Sequence, residues 1–188
     1  APSAFVESWI AKVAVRLPAS AKAAAGLAEA RARSNASEGG KADTTEPARV
    51  LDLAMGRGRH ALLLARHGFR TFGVDVKRDA VGDAMAAAAR DGLRVLGWCA
   101  DLTVSPLPEA AFDLVVVARY LQRNLFDAIK ASVKPRGYVI YETFTTAQLA
   151  LGAGPTSPDH LLKPGELRSA FADWDVLSYE EVDAPEAV

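Results

Sequence analysis

Three aspartates and a glycine turn are the residues of this sequence whose types and spacing best suit ligand chemistry. The turn "AMGRGRH" contains Gly56 and Gly58, and Asp52 stands just ahead of it. Asp75 comes 17 residues after Gly58, and Asp101 follows a third apolar run. A glycine turn after a strand brings backbone amides close to a nucleotide-like ligand, and an acid roughly 20 residues further on can accept from ribose hydroxyls. The turn alone leaves open whether it holds a phosphate, a carboxylate or nothing.

Alternating strands and helices must position these residues. Apolar runs predict strands at 48–54, 70–75, 93–100, 112–118, 137–144 and 174–182. Helical spacing predicts helices at 58–68, 78–92, 121–133 and 164–172. Because the strands are nearly all apolar and alternate with helices, we expect an open, doubly wound α/β domain with a mostly parallel sheet. Ligands of such sheets lie at the carboxyl ends of the strands, near the point where strand order reverses.

Composition narrows the class of protein. Half of the 188 residues are hydrophobic and the formal net charge is −1, which argues against a general electrostatic grip on nucleic acid. No apolar run reaches the roughly 20 residues of a membrane span, and the N-terminus lacks a signal-peptide pattern, so we predict a cytoplasmic protein. Three scattered histidines and one cysteine give no metal-ligand spacing. Cys99 lies in an apolar stretch and is predicted to be a small buried residue.

The N-terminal third is predicted to be organised differently from the rest. Residues 1–18 predict an amphipathic helix, with Ser3 as its cap and Pro18 at its end. Residues 19–47 are alanine-rich and then rich in Ser, Gly, Asp and Thr, which is typical of a flexible linker. The ligand-binding domain is predicted over 48–188. The first helix either packs on the sheet as an ordinary helix or closes over the ligand as a lid, with the linker as its hinge.

The class of ligand follows from the acid beside the turn. Residues 56–61 also satisfy the G-x-G-x-x-A dinucleotide fingerprint, so a nicotinamide or flavin enzyme is one alternative. Against it, Asp52 would face the pyrophosphate as a second anion, and the roughly 85 residues after Asp101 are too few for a second substrate domain. An acid beside a glycine turn better suits a ligand with an ammonium and a carboxylate attached to a nucleoside. S-adenosylmethionine is such a ligand.

The segment "VLDLAMGRGRHALLLARHGFRTFGVD" resembles the first two motifs of class I S-adenosylmethionine-dependent methyltransferases. With "ADL", "FDLVVVARYLQR", "KPRGYVIYETF" and "LLKPGEL", residues 48–183 resemble the subgroup related to tellurite-resistance methyltransferases. Two departures stand out. Ala54 replaces the family's first glycine, and no sequence remains after the sixth predicted strand for the family's antiparallel seventh. Either the chain is truncated or an exposed sheet edge invites pairing with a second copy as a homodimer.

The resemblance implies a role for each matching position. The amides of Gly56 and Gly58 would approach the methionine moiety, near Ala54, and Asp52 would help to hold its ammonium. Asp75 would accept from the ribose hydroxyls. The remaining implied contacts are Val76 on the adenine face, Asp101 and Leu102 at the adenine edge, the Ala118 carbonyl on the ammonium, and Arg59 on the carboxylate unless its side chain is simply solvated.

Acceptor-side residues are expected on the loops after the fourth and fifth strands and on the N-terminal helix. The candidates are Arg119, Tyr120, Arg123, Glu142, Thr143, Phe144 and His160. Among them, His160 is the candidate general base. Arg119 and Glu142 follow buried strands, where charges must be paired or used, whereas Arg123 is expected on a solvated helix face. The predicted activity is methyl transfer to a small molecule without a metal, with a non-catalytic cofactor-binding protein and a nicotinamide oxidoreductase as alternatives.

Overall fold

Strands and helices alternate through the part of the chain after residue 48. The computed structural model describes residues 1–17, 46–152 and 154–182. Its strands are β1 (Arg49–Leu53), β2 (Arg70–Asp75), β3 (Val95–Cys99), β4 (Phe112–Ala118) and β5 (Val133–Glu142). Its α-helices are α1 (Ala4–Arg16), α2 (Arg59–Arg66), α3 (Arg78–Arg90), α4 (Phe126–Ser132) and α5 (Glu166–Ala170). Within these ranges, no helix combines the length and the apolar character needed to cross a bilayer.

The five strands form one parallel sheet in the order β3-β2-β1-β4-β5. The chain runs outward from β1 to β3 and then returns to place β4 on the other side of β1. Strand order therefore reverses between β1 and β4, and a crevice for a ligand opens at the carboxyl ends of these two strands. The predicted doubly wound, mostly parallel α/β fold is confirmed.

Apolar residues on both faces of the sheet explain why its strands are nearly all apolar. Val50 of β1 belongs to the core on the α1 and α2 side, with Leu64 and Leu114. Its neighbour Leu51 faces the opposite core, which α4 covers through Ile129. Successive residues of a strand point to opposite faces, so a sheet covered on both sides needs apolar residues at consecutive positions.

Helix α1 packs on the sheet through Val6, Ile10 and Val13, which are all buried. The Oγ atom of Ser3 accepts a hydrogen bond from the backbone amide of Val6 at 3.4 Å. Ser3 is therefore the N-cap of α1, as the sequence predicted. Most of the predicted linker over 19–47 falls on residues 18–45, which lie outside the described ranges. Closure of α1 as a lid stays a prediction.

The predicted sixth strand over 174–182 is wrong. This segment pairs with no strand, and its apolar residues Val176 and Leu177 are exposed. Its Glu181 instead accepts a hydrogen bond of 2.7 Å from the backbone amide of Gly165, at the start of α5. Apolar alternation yields a strand only where a neighbouring edge takes up the backbone N–H and C=O groups. The segment lies against α5, and the part of the chain that the structure describes forms a sheet of five strands.

Two smaller predictions also need correction. Cys99 is exposed because it ends β3, which is an edge strand, and its Sγ donates to the carbonyl of Val76 at 3.2 Å. Strand β5 begins at Val133, four residues earlier than predicted. Between the pairs Phe112–Val133 and Leu114–Tyr138, β5 contains extra residues that shift the register, and Val133 thereby still pairs with Phe112 of β4.

Candidate active site

The glycine turn lies at the carboxyl end of β1 and has an unusual backbone. Ala54, Gly56 and Gly58 all have left-handed φ angles, of 56°, 53° and 78°. A Cβ on Gly58 would lie 2.7 Å from the Cβ of Ala84, so the missing side chain lets α2 approach α3. A Cβ on Gly56 would meet nothing within 4 Å. Ala54 stands where the resembling family has glycine, and its conformation is one that glycine adopts without the cost of roughly 1–2 kcal/mol for an L-residue.

A cavity of about 240 Å³ opens above this turn. Its walls are Ala54, Met55, Gly56, Arg57, Arg59, His60 and Ala118. Four predicted cofactor residues therefore meet at one place, and they come from the ends of β1 and β4 as the reversal of strand order requires. Three wall residues, Met55, Arg57 and His60, were not predicted, although they lie inside the turn "AMGRGRH".

Asp52 lies beneath the turn and is almost fully buried, with 1% of its surface exposed. Its Oδ2 accepts a hydrogen bond of 2.8 Å from the backbone amide of Ala61 and so fixes the first turn of α2. Burial raises the pKa of Asp52 to about 7, although the Ala61 amide and the nearby charge of Arg59 act in the opposite direction. The carboxyl group is therefore divided between its acid and its anion near neutral pH.

Asp75 ends β2 and holds the glycine turn from the other side. Its Oδ2 accepts from the amide of Gly56 at 2.7 Å, and its Oδ1 accepts from the amide of Lys77 at 2.9 Å. A carboxylate offers about four lone-pair sites, so about two remain for a ligand. The next residue, Val76, leaves 61% of its surface exposed, which is unusual for a valine beside a buried strand.

Asp101 and Tyr120 lie near the same edge of the sheet. Asp101 accepts from the amide and the hydroxyl of Thr103 at 2.9 and 2.7 Å, and both bonds lower the pKa of Asp101. Burial raises the pKa of Tyr120, and the negative charges of Asp101 and Asp75 raise it further. The Tyr120 hydroxyl is therefore within electrostatic reach of both predicted cofactor acids. Leu102, beside Asp101, is buried.

A chain of hydrogen bonds joins the N-terminal segment to this site. The backbone amide of Ser3 donates to Nε2 of His60 at 3.1 Å, and the Ser3 hydroxyl donates to the Glu142 carboxylate. Burial lowers the pKa of His60 to about 4, and the charges of Arg59 and Arg119 lower it further. His60 is therefore neutral at pH 7, and because Nε2 accepts, Nδ1 carries the proton. The sequence pointed to Ser3 only as a helix cap and gave no reason to select His60.

The ends of β4 and β5 are tied together at the predicted acceptor side. The backbone amide of Arg119 donates to the carbonyl of Glu142 at 2.7 Å. Arg119 has a left-handed φ of 56°, and its guanidinium carbon lies 6.0 Å from the centre of the Phe144 ring. This conformation strains the backbone of a bulky residue, and residues strained in this way cluster at functional sites.

Arg123 is exposed on the short 3₁₀ helix Arg123–Leu125, as the sequence predicted, but its guanidinium group is paired with a carboxylate rather than only solvated. Its Nε and Nη2 atoms contact the two carboxylate oxygens of Glu166 at 2.5 and 3.0 Å, and Nη2 also donates to the carbonyl of Leu161 at 2.8 Å. Planar guanidinium groups favour such forked contacts. Arg123 thus clamps the loop that carries His160, which is exposed and is not a wall residue of the cavity.

Comparison with known proteins supports a methyltransferase domain. Residues 50–137 match the family model described as a methyltransferase domain. The chain is 32% identical over 151 residues to hemagglutinin 1 of Eikenella corrodens, covering 73% of this chain and 47% of that protein. It is 38% identical over 87 residues to demethylmenaquinone methyltransferase of Thermus thermophilus, covering 45% and 39%. The chain thus spans less than half the length of each of these curated relatives.

The fold is also shared with solved structures. TehB from Haemophilus influenzae superposes with a TM-score of 0.59 at 20% identity, over 72% of this chain and 49% of that one. Identity at this level shows the shared fold alone. Residues 50–137 therefore match a methyltransferase domain on a Rossmann-like fold, and the cofactor that this match implies is S-adenosylmethionine.

Proposed function

We propose that this chain transfers a methyl group from S-adenosylmethionine to a small-molecule acceptor. The observation that carries the proposal is the arrangement around the glycine turn. Asp75 grips the turn through the Gly56 amide, and the turn opens into a cavity at the reversal of strand order. A nucleoside attached to an amino acid needs an acceptor for its ribose hydroxyls and, beside it, a pocket that binds the polar groups of the amino acid. Asp75 supplies the acceptor, and the cavity above the turn supplies the pocket.

The residues present fit this cofactor on two counts. Gly56 lines the cavity, and the space that its Cβ would take is empty, so a ligand can lie directly against the backbone. Asp75 keeps about two free lone-pair sites, which suits a pair of hydroxyl groups. We assign the ribose to Asp75, the adenine face to Val76, and the adenine edge to Asp101 and Leu102.

The methionine end is assigned to the cavity above the turn. Its ammonium would be held by the Ala118 carbonyl and by Asp52, whose raised pKa would fall when a cation lies beside it. Its carboxylate would meet Arg59, which lines the cavity and also donates to the carbonyl of Ala1 at 3.4 Å. The amides of the turn would complete this cradle next to Ala54 and Gly58.

Methyl transfer depends on alignment of the donor with the acceptor and on exclusion of water more than on proton transfer. When bound, S-adenosylmethionine would supply an electrophilic sulfonium methyl group, whose bond to sulfur would break in line as the acceptor bonds to the methyl carbon, with the sulfur leaving as the neutral thioether of S-adenosylhomocysteine. The chain's part is to orient the acceptor and to exclude water. Tyr120, Arg119 and Glu142 would do so at the ends of β4 and β5, with His160 as the candidate base on the loop that Arg123 clamps.

The acceptor is proposed to be a small molecule, and by resemblance to the tellurite-resistance subgroup a metalloid oxyanion or a thiol. The formal net charge of −1 supports this over a nucleic-acid substrate. We further propose a cytoplasmic protein, with the outer edge of β5 as the surface through which two copies would pair.

Thermal unfolding in the presence of S-adenosylhomocysteine or of NAD tests the cofactor assignment. S-adenosylhomocysteine at about 100 times its dissociation constant should stabilise the fold by roughly 2.7 kcal/mol and raise Tm by about 5–10 °C. NAD at the same concentration should have no effect. Stabilisation by NAD and not by S-adenosylhomocysteine would overturn the proposal in favour of an oxidoreductase.

A non-catalytic cofactor-binding protein is the second candidate, because His160 is not a wall residue of the cavity and the buried His60 already accepts a hydrogen bond. Mass spectrometry of thiol and metalloid acceptors incubated with methyl-labelled cofactor separates the two. Labelled product is expected for the enzyme, and cofactor binding without labelled product favours the binding protein.

A further inference from the structure

Ser3 is a buried polar residue that joins three remote parts of the chain. It leaves 2% of its surface exposed, and His60, to which it donates, leaves 3%. One of its contacts spans 57 residues of sequence and another spans 139. An ordinary N-cap needs only the bond from Val6, so the contacts to His60 and Glu142 exceed what capping requires.

Elementary chemistry fixes the direction of every bond in this network. The Glu142 carboxylate can only accept when ionised, so the Ser3 hydroxyl must donate to it. The Ser3 Oγ atom also accepts a hydrogen bond from the Val6 amide, and the Ser3 amide donates to Nε2 of His60. A buried network in which each member has a partner of the right kind holds its elements in one arrangement.

Both contacts of Ser3 lead to walls of the same cavity. His60 is itself a wall residue on α2, directly after the glycine turn. Glu142 ends β5, and its carbonyl holds the amide of Arg119, which follows the wall residue Ala118 at the end of β4. The N-terminal segment therefore connects the start of α2 with the ends of the strands that face it.

We propose that Ser3 is a positioning residue for the cofactor cavity. Its amide and its hydroxyl hold His60 and the Glu142 carboxylate in fixed positions relative to each other. The inference rests on the proposed function, because its readout is cofactor affinity. It makes the N-terminal segment part of the site, although the family match covers only residues 50–137.

A pair of variants, the first of which adds a charge repulsion that the second removes, separates positioning from capping. Ser3→Asp keeps a good N-cap for Val6 but faces Glu142 with a second carboxylate. Ser3→Asp combined with Glu142→Gln removes that repulsion and lets the glutamine amide donate to the new carboxylate. Ser8→Ala is the matched control, since Ser8 lies on the same helix and its exposed hydroxyl donates only to the carbonyl of Phe5 at 2.9 Å. Calorimetry with S-adenosylhomocysteine measures affinity, and amide exchange in α1 checks that the cap is intact.

We expect Ser3→Asp to weaken binding by about tenfold, which is a typical coupling between sites. The double variant should return to within about threefold of the wild-type affinity, and Ser8→Ala should bind as the wild type does. If Ser3→Asp does not fold, Ser3→Ala, which removes the donor to Glu142 without adding a charge, should weaken binding by about fivefold relative to Ser8→Ala.

Wild-type affinity in Ser3→Asp or Ser3→Ala would overturn the inference and leave the proposed function intact, and so would a double variant as weak as Ser3→Asp. Failure of the wild-type chain itself to bind S-adenosylhomocysteine would instead overturn the proposed function, and this inference with it.

Discussion

Substitution of a single glycine tests whether the turn is the seat of the cofactor. Gly56 has a φ of +53°, and a Cβ built on it meets nothing within 4 Å. Gly92, just after α3, has a φ of +66° and is equally unobstructed. The two positions thus share a left-handed backbone, which would strain an alanine, and open space for a Cβ, but of the two only Gly56 lines the cavity. Gly56→Ala and Gly92→Ala form a matched pair.

The expected stability effects of this pair are the same. A left-handed alanine costs about 1–2 kcal/mol in the folded state. Alanine also lowers the entropy of the unfolded chain relative to glycine, which offsets about 0.4–1 kcal/mol. Each variant should therefore lose about 1 kcal/mol of unfolding free energy, or about 2–4 °C in Tm for a chain of this size. Differential scanning calorimetry checks this equality.

The expected affinities differ. The new methyl group of Gly56→Ala enters the space against which the ligand would lie, and overpacking of this kind typically costs about 1–3 kcal/mol. Calorimetric titration should show S-adenosylhomocysteine affinity reduced by at least about fivefold in Gly56→Ala and unchanged in Gly92→Ala. Equal affinity of the two variants would refute the assignment of this turn to the cofactor.

Three further predictions follow from individual side chains. Asp75→Asn replaces an acceptor of two backbone amides and should reduce S-adenosylhomocysteine affinity by about 10–100-fold, whereas Asp91→Asn at the exposed end of α3 should not; equal affinities would refute the ribose assignment. Burial raises the pKa of Asp52 to about 7, so its contribution to stability is present below pH 4 and is lost as pH rises through 7; urea unfolding should show Asp52→Asn gaining on the wild type by up to about 4 kcal/mol between pH 4 and 8, and a constant gap would contradict the shift. Arg123→Gln should speed amide exchange at Leu162 and lower the unfolding free energy by about 1 kcal/mol, with Arg123→Lys intermediate; unchanged exchange would show that the Glu166 pair does not hold the loop.

Local pattern was enough to predict the elements that build the site. Continuous apolar runs at strand length predicted β1 to β5, and the glycine turn with Asp75 after it predicted where a ligand would lie. These features depend on neighbours in sequence: side-chain alternation, backbone conformation at glycine, and the residue type that follows a strand. A parallel sheet then brings the carboxyl ends of all its strands to one edge. The Gly56 amide therefore lies 2.7 Å from Oδ2 of Asp75, as the positions of these residues at strand ends imply.

Other features depended on partners that no local pattern specifies. The segment 174–182 has the alternation of a strand but packs against α5, and Cys99 is exposed because β3 lies at an edge. Arg123 resembles a solvated charge until the fold brings Glu166 to it across 43 residues. Sequence periodicity sets which residues turn inward, whereas the partner of a buried polar group is set by which elements pack together. The sequence by itself therefore determined the sheet and the turn, and tertiary structure alone decided that Ser3, His60 and Glu142 form one network at the cavity.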